Sequence, residues 1–141
     1  MDLVVDANVL VGELLRRRGR ELVLRPELNL SASARAWNET QHELRRRVQT
    51  MARRGQLTNE TATMILQVAE QAVEQRLLIV DTALYAPFEA QARLRIRRDP
   101  DDWPTVAAAM ATDAGIWTND QDFCGCGLPV WSTETLLAVL G

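Results

Sequence analysis

With 141 residues the chain is the size of one domain, able to bury roughly two-thirds of the surface that its unfolded form exposes, and its 47% hydrophobic and 25% charged residues are ordinary for a globular protein. No apolar run approaches the ~20 residues of a membrane span, and the opening Met-Asp-Leu-Val-Val-Asp has neither a basic region nor a cleavable apolar stretch, so it reads as the first strand of a cytoplasmic protein. The net charge is −3 and all 16 basic residues are arginines, which argues against P-loops, receiver domains and aspartate-nucleophile phosphatases, each of which places a lysine at the phosphoryl group.

Leu3 to Val5 is a short buried strand, and Asp6-Ala-Asn-Val-Leu-Val runs on into a helix predicted to reach about Arg18, with Gly19 closing it. Asp6 then stands at the strand tip, with Asn8 two positions on. Leu28 to Leu30 is a weaker strand. Ser33 to Arg54 is helical, with Trp37, Leu44, Val48 and Met51 on one stripe and Gly55 beyond the end. Thr58 caps a further helix to about Gln75, so residues 33–75 form a helical hairpin that serves as lid, dimer surface or core.

Leu77 to Val80 is an apolar run bounded by Asp81, Thr82 to Arg98 has helical composition, and Asp102 with Pro104 opens a helix over Trp103 to Asp113. Gly115 to Thr118 is a strand that ends at carboxylates. Cys124-Gly-Cys126-Gly reads as a glycine-rich turn with reduced thiols, because His42 is the only other soft ligand and a four-ligand zinc site cannot be completed. A short strand near Pro129 to Trp131 and an apolar helix through Leu140 finish the chain. Strands alternating with helices predict a single α/β domain with a mainly parallel central sheet.

Three acidic clusters fall where an apolar run ends or a helix begins: Asp6, Asp99-Pro-Asp-Asp102, and Thr118-Asn-Asp-Gln-Asp122. In a parallel sheet that edge is where ligands bind. Asp6 has a capping role open to it, Asp102 can both cap and face a cation, and Asp120 and Asp122, two apart in an extended segment, project to the same side. Carboxylates gathered in this way repel one another unless a cation joins them, and their hard oxygens suit Mg²⁺ or Mn²⁺.

These residues resemble the PIN-domain nucleases, including the toxin ribonucleases of VapC type. The resemblance rests on Val-Val-Asp-Ala-Asn-Val-Leu-Val at the start, Asp-Pro-Asp-Asp ahead of an alanine-rich helix, and Thr-Asn-Asp-Gln-Asp-Phe after a late strand, in the family's order and over essentially the whole chain. It implies a PIN-like three-layer α/β/α fold. It also implies a metal-dependent ribonuclease whose catalytic carboxylates are Asp6, a helix glutamate, Asp102 and Asp120, with Asp122 as a further ligand or a group that supports the ligands, and Asn8, Thr118 and Asn119 in support. Glu39 and Glu43 share a helix face and compete for the glutamate role; Glu39 is preferred and Glu43 is the alternative ligand.

Arginines must offset the repulsion between such a site and a phosphate backbone, and Arg46, Arg47, Arg97 and Arg98 are the candidates for substrate binding. The resemblance further implies RNA as substrate, an antitoxin partner and a homodimer. Two other readings compete: a catalytically inactive PIN-like RNA-binding or scaffold module, and an unrelated Mg²⁺ enzyme with a closed pocket for a small phosphorylated substrate.

Overall fold

The computed structural model describes all of residues 1–141. Five strands, β1 (Asp2–Val5), β2 (Asn29–Ser33), β3 (Leu77–Val80), β4 (Gly115–Trp117) and β5 (Val130–Trp131), form one sheet in the order β3-β2-β1-β4-β5. Every pairing is parallel. The connections carry α1 (Ala7–Leu14), α2 (Arg17–Val23), α3 (Ala34–Arg53), α4 (Asn59–Arg76), α5 (Thr82–Tyr85), α6 (Glu89–Arg95) and α7 (Trp103–Thr112), and α8 (Thr133–Leu140) ends the chain.

Alternation along β1 explains the layering. Leu3 and Val5 enter a core built with α1, α2, α3 and α4, while Val4 enters a second core built with α6 and α7, and all three are at most 1% exposed. The central strands are thus covered on both faces, which is why they read as short unbroken apolar runs. Chain order reverses at β1, which has β2 on one side and β4 on the other. That reversal makes the carboxyl end of the β1/β4 pair the crevice of the sheet.

The first helix departs from expectation. It stops at Leu14, Arg16 is extended (φ −109°, ψ 141°), and α2 starts at Arg17 with Gly19 inside it rather than after it. Gly19 is buried against Glu13, and a Cβ there would run into the Glu13 backbone. The glycine is a close-approach residue for packing α2 on α1, not a helix terminator.

Thr82 to Arg98 is likewise broken. Pro87 lies in a 3₁₀ turn (Ala86–Phe88) between α5 and α6, where a residue without an N–H and with a bulky ring cannot continue an α-helix. On α3, Leu44 and Val48 are buried as expected, whereas Trp37 and Met51 are only half-buried at the margin of the stripe.

Candidate active site

Asp6 follows β1 directly, and its N–H donates to the Trp117 carbonyl at 3.0 Å, lacing the ends of β1 and β4 together. Although Asp6 occupies the N-cap position of α1, its side chain makes no capping bond to the helix. Instead the Thr118 hydroxyl donates to Asp6 Oδ2 at 3.0 Å, and the same hydroxyl accepts the Asp120 N–H at 3.0 Å. One threonine therefore sets the position of the first acidic residue and of the backbone that carries another.

Asp120 in turn accepts the Asp122 N–H at 2.9 Å, which closes the 3₁₀ turn Gln121–Phe123. Asn119 is fastened from the other side: its Oδ1 accepts the Thr133 N–H at 2.9 Å and its Nδ2 donates to Thr133 Oγ1 at 3.3 Å. Thr133 Oγ1 also accepts the Trp117 indole N–H at 3.0 Å and donates to the buried Glu13 at 3.2 Å. The loop after β4 is thus anchored to α8 and α1 and is held in one arrangement.

Asp102 ends a 3₁₀ turn (Pro100–Asp102) that feeds α7 and, like Asp6, spends no side-chain bond on capping its helix. Glu39 lies on α3, whose start is set by Ser33 accepting the Ala36 N–H at 3.0 Å. Asp6, Ser33, Arg35, Glu39, Asp101, Asp102 and Thr105 line one narrow cleft. Asp6 also opens onto an adjoining recess of about 280 Å³ with Asn8, Asn119 and Asp120.

Electrostatics tie these carboxylates into one set. Burial pushes Asp6 up to about 6; the Thr118 hydrogen bond and the nearby Ala7 backbone N–H dipole oppose the rise, and the charges of Asp120 and Glu39 add to it. Asp102 is pushed up to about 7, first by burial and then by the charges of Asp99, Asp6 and Asp120. Across the crevice, Asp6 thus feels the charges of Asp120 and Glu39, and Asp102 those of Asp6 and Asp120. The donor set is all hard oxygen and mutually repulsive, which fits a small divalent cation such as Mg²⁺ or Mn²⁺. No three His, Cys, Asp or Glu side chains converge as closely as in a formed metal centre.

The remaining candidates lie outside this set. Glu43, one turn further along α3, accepts from Arg46 at 2.7 Å and from Arg47 at 3.0 Å, and these guanidinium groups hold it down to about 2. The structure therefore places Glu43 in an arginine clamp and Glu39 in the cleft, and it occupies Arg46 and Arg47 with Glu43. Arg97 donates to the Leu94 carbonyl at 3.3 Å, and Arg98 stands 3.8 Å from Asp122, at the margin of the acidic loop. Asn8 borders the recess, is exposed and makes no side-chain bond to a carboxylate, while Asn119 holds Thr133 and not an aspartate.

Sequence reading overlooked Arg35, the basic residue of the cleft. Its spacing of four from Glu39 was the available signal, since residues so placed meet on one helix face. A recess of about 450 Å³ lies at the opposite end of the sheet around Asp2, Asn29, Arg76 and Leu77, away from the acidic crevice.

No curated protein matches the chain. A family model of the PIN domain matches residues 4–141, nearly the whole length, in agreement with the parallel sheet and the acidic crevice, and the chain therefore belongs to the PIN-domain family.

Proposed function

We propose that the protein is a Mg²⁺- or Mn²⁺-dependent endoribonuclease that hydrolyses phosphodiester bonds of single-stranded or structured RNA, and that it acts as the toxin of a toxin–antitoxin pair. PIN domains are generally nucleases and usually use divalent metals. The observation that carries the reading is the gathering of Asp6, Glu39 and Asp102 in one cleft, with Asp120 in the recess that adjoins it, at the carboxyl edge of the sheet.

Asp6, Glu39, Asp102 and Asp120 would hold the cation, with Asp122 beside them. When bound, a divalent ion supplies Lewis acidity to activate water and to neutralise the departing oxygen. Thr118 keeps the Asp6 carboxylate aimed into the crevice, and the Asn119–Thr133 fastening keeps Asp120 there. The narrow cleft, about 20 Å³, is far below the ~300–1,000 Å³ of small-molecule pockets, which favours a strand laid across the surface over an engulfed metabolite. A homodimer through the hairpin of α3 and α4, where Met64 and Val68 are 61% and 39% exposed, and a cytoplasmic setting with an antitoxin covering the cleft belong to the same proposal.

One observation favours a second reading, that of an inactive RNA-binding or scaffold module: no three acidic side chains converge as in a formed metal centre. Cleavage of end-labelled single-stranded RNAs with Mg²⁺ or Mn²⁺, with an EDTA control, separates the two. Cutting that is lost with Asp6→Asn and with Asp120→Asn supports the nuclease. Well-folded wild type that binds the strands without cutting any of them supports the module.

A further inference from the structure

Within the acidic cleft one side chain carries a positive charge. Arg35 lines it together with Asp6, Glu39, Asp101 and Asp102, and its Nε stands 3.3 Å from Glu39 Oε1. Of the arginines nominated from sequence, Arg46 and Arg47 hold Glu43, Arg97 holds a backbone carbonyl of its own segment, and Arg98 stands outside the cleft, 3.8 Å from Asp122 at the margin of the acidic loop.

Helix stability does not account for Arg35. It is the second residue of α3, a position where the helix dipole favours anions, and the first turn of α3 contains no acidic residue to offset it. The pair with Glu39 also runs in the weaker order, with the cation N-terminal to the anion. Both side chains are about half exposed, 50% for Arg35 and 58% for Glu39, so the pair is weakly held and readily exchanged. A residue that breaks two local helix rules at the edge of a reactive cleft is better explained by what it does there.

We propose that Arg35 is a substrate-positioning residue that exchanges partners: it neutralises Glu39 in the free protein, and it turns its guanidinium to a phosphate oxygen of the bound strand once Glu39 engages a divalent cation. This rests on the nuclease reading above. A guanidinium fork is suited to the second partner, because it meets two phosphate oxygens at once where an ammonium meets them as a point charge. The exchange makes Arg35 and the cation rivals for Glu39, and makes Arg35 and the cation allies towards the phosphate. Removing Arg35 therefore moves the two affinities in opposite directions, which loss of a merely structural contact does not do.

The test uses the full chain as wild type, Arg35→Ala and Arg35→Lys. Mn²⁺ binding is followed by the loss of the free-ion electron paramagnetic resonance signal, and binding of a fluorescein-labelled single-stranded RNA is followed by anisotropy in Ca²⁺, with gels to confirm that the strand stays intact. Arg35→Ala is expected to bind Mn²⁺ about two- to fivefold more tightly, the size of an exposed ion pair, and RNA about tenfold more weakly. Arg35→Lys, which keeps the charge and loses the fork, is expected to match wild type for Mn²⁺ and fall between the others for RNA. Equal Mn²⁺ affinity in wild type and Arg35→Ala overturns the exchange, and equal RNA affinity overturns the phosphate contact, each leaving the nuclease reading standing. Wild type that binds no Mn²⁺ overturns both.

Discussion

The Thr118 hydroxyl donates to the Asp6 carboxylate at 3.0 Å across a sequence separation of 112 residues. This bond joins the end of β4 to the end of β1, and it lowers the proton affinity of a carboxylate that burial raises. Thr118→Val keeps the shape and removes the donor. On the proposed function it is expected to cut Mn²⁺ affinity and RNA cleavage by about 10- to 100-fold, as loss of a group that orients a metal ligand does. Unchanged Mn²⁺ binding in a folded Thr118→Val protein would show that the bond positions nothing of consequence.

Acidity at the crevice carries a stability signature of known sign. In the folded metal-free protein Asp6 holds its proton up to about 6, against an ordinary value of 3.8, so between these values the folded state binds more protons than the unfolded one. Stability from this group is therefore full below about pH 3.8 and is lost as pH rises through about 6. The loss amounts to at most about 3 kcal/mol. Asp102, raised to about 7, acts in the same direction. Glu27 and Glu43, held down to about 2, act oppositely, but only as pH falls below 4.5. Urea unfolding in EDTA is thus expected to show stability falling from pH 5 to pH 7, and Asp6→Asn is expected to flatten that fall. A wild-type stability that rises with pH across this window contradicts the charge arrangement.

Glu39 and Glu43, one turn apart on α3, separate on function. On the proposed function Glu39 is a cation ligand in the cleft, and Glu39→Gln is expected to lower metal-dependent cleavage by about 100-fold. Glu43→Gln breaks only the contacts to Arg46 and Arg47 and is expected to cleave close to the wild-type rate. Parallel cleavage assays decide between them, and the reverse pattern would move the ligand to Glu43.

Gly19→Ala tests the packing of α2 on α1. The added methyl meets the Glu13 backbone, which does not give way as a flexible side-chain tip does, so the substitution is expected to cost about 1–3 kcal/mol in chemical unfolding. An unchanged or raised unfolding midpoint would show that Gly19 is not a close-approach residue.

Much of the architecture was legible in local pattern. The short apolar runs at Leu3, Leu77 and Gly115 became strands of a parallel sheet, the weaker one read at Leu28–Leu30 became β2 shifted on to Asn29–Ser33, and the cap at Thr58 starts α4. These features depend on side-chain period and on end groups seeking partners, both of which lie within a few residues of chain. The clustering of acids at strand ends was visible for the same reason.

Partner choice was not legible, because it is settled between segments far apart in the chain. Gly19 looked like a terminator until α2 folded back on Glu13, and the break at Leu14 follows from that packing. Glu39 and Glu43 are equivalent on a helical wheel; only the approach of Asp6, from 33 residues earlier, and of Asp102, from 63 later, puts Glu39 in the cleft and leaves Glu43 to its arginines. The sequence by itself determined which residue types stand at the ends of strands and the starts of helices. Tertiary structure alone decided which of them face one another, since only the parallel register of β1 with β4 brings Thr118 to Asp6 and makes the charge of each acid felt by the next.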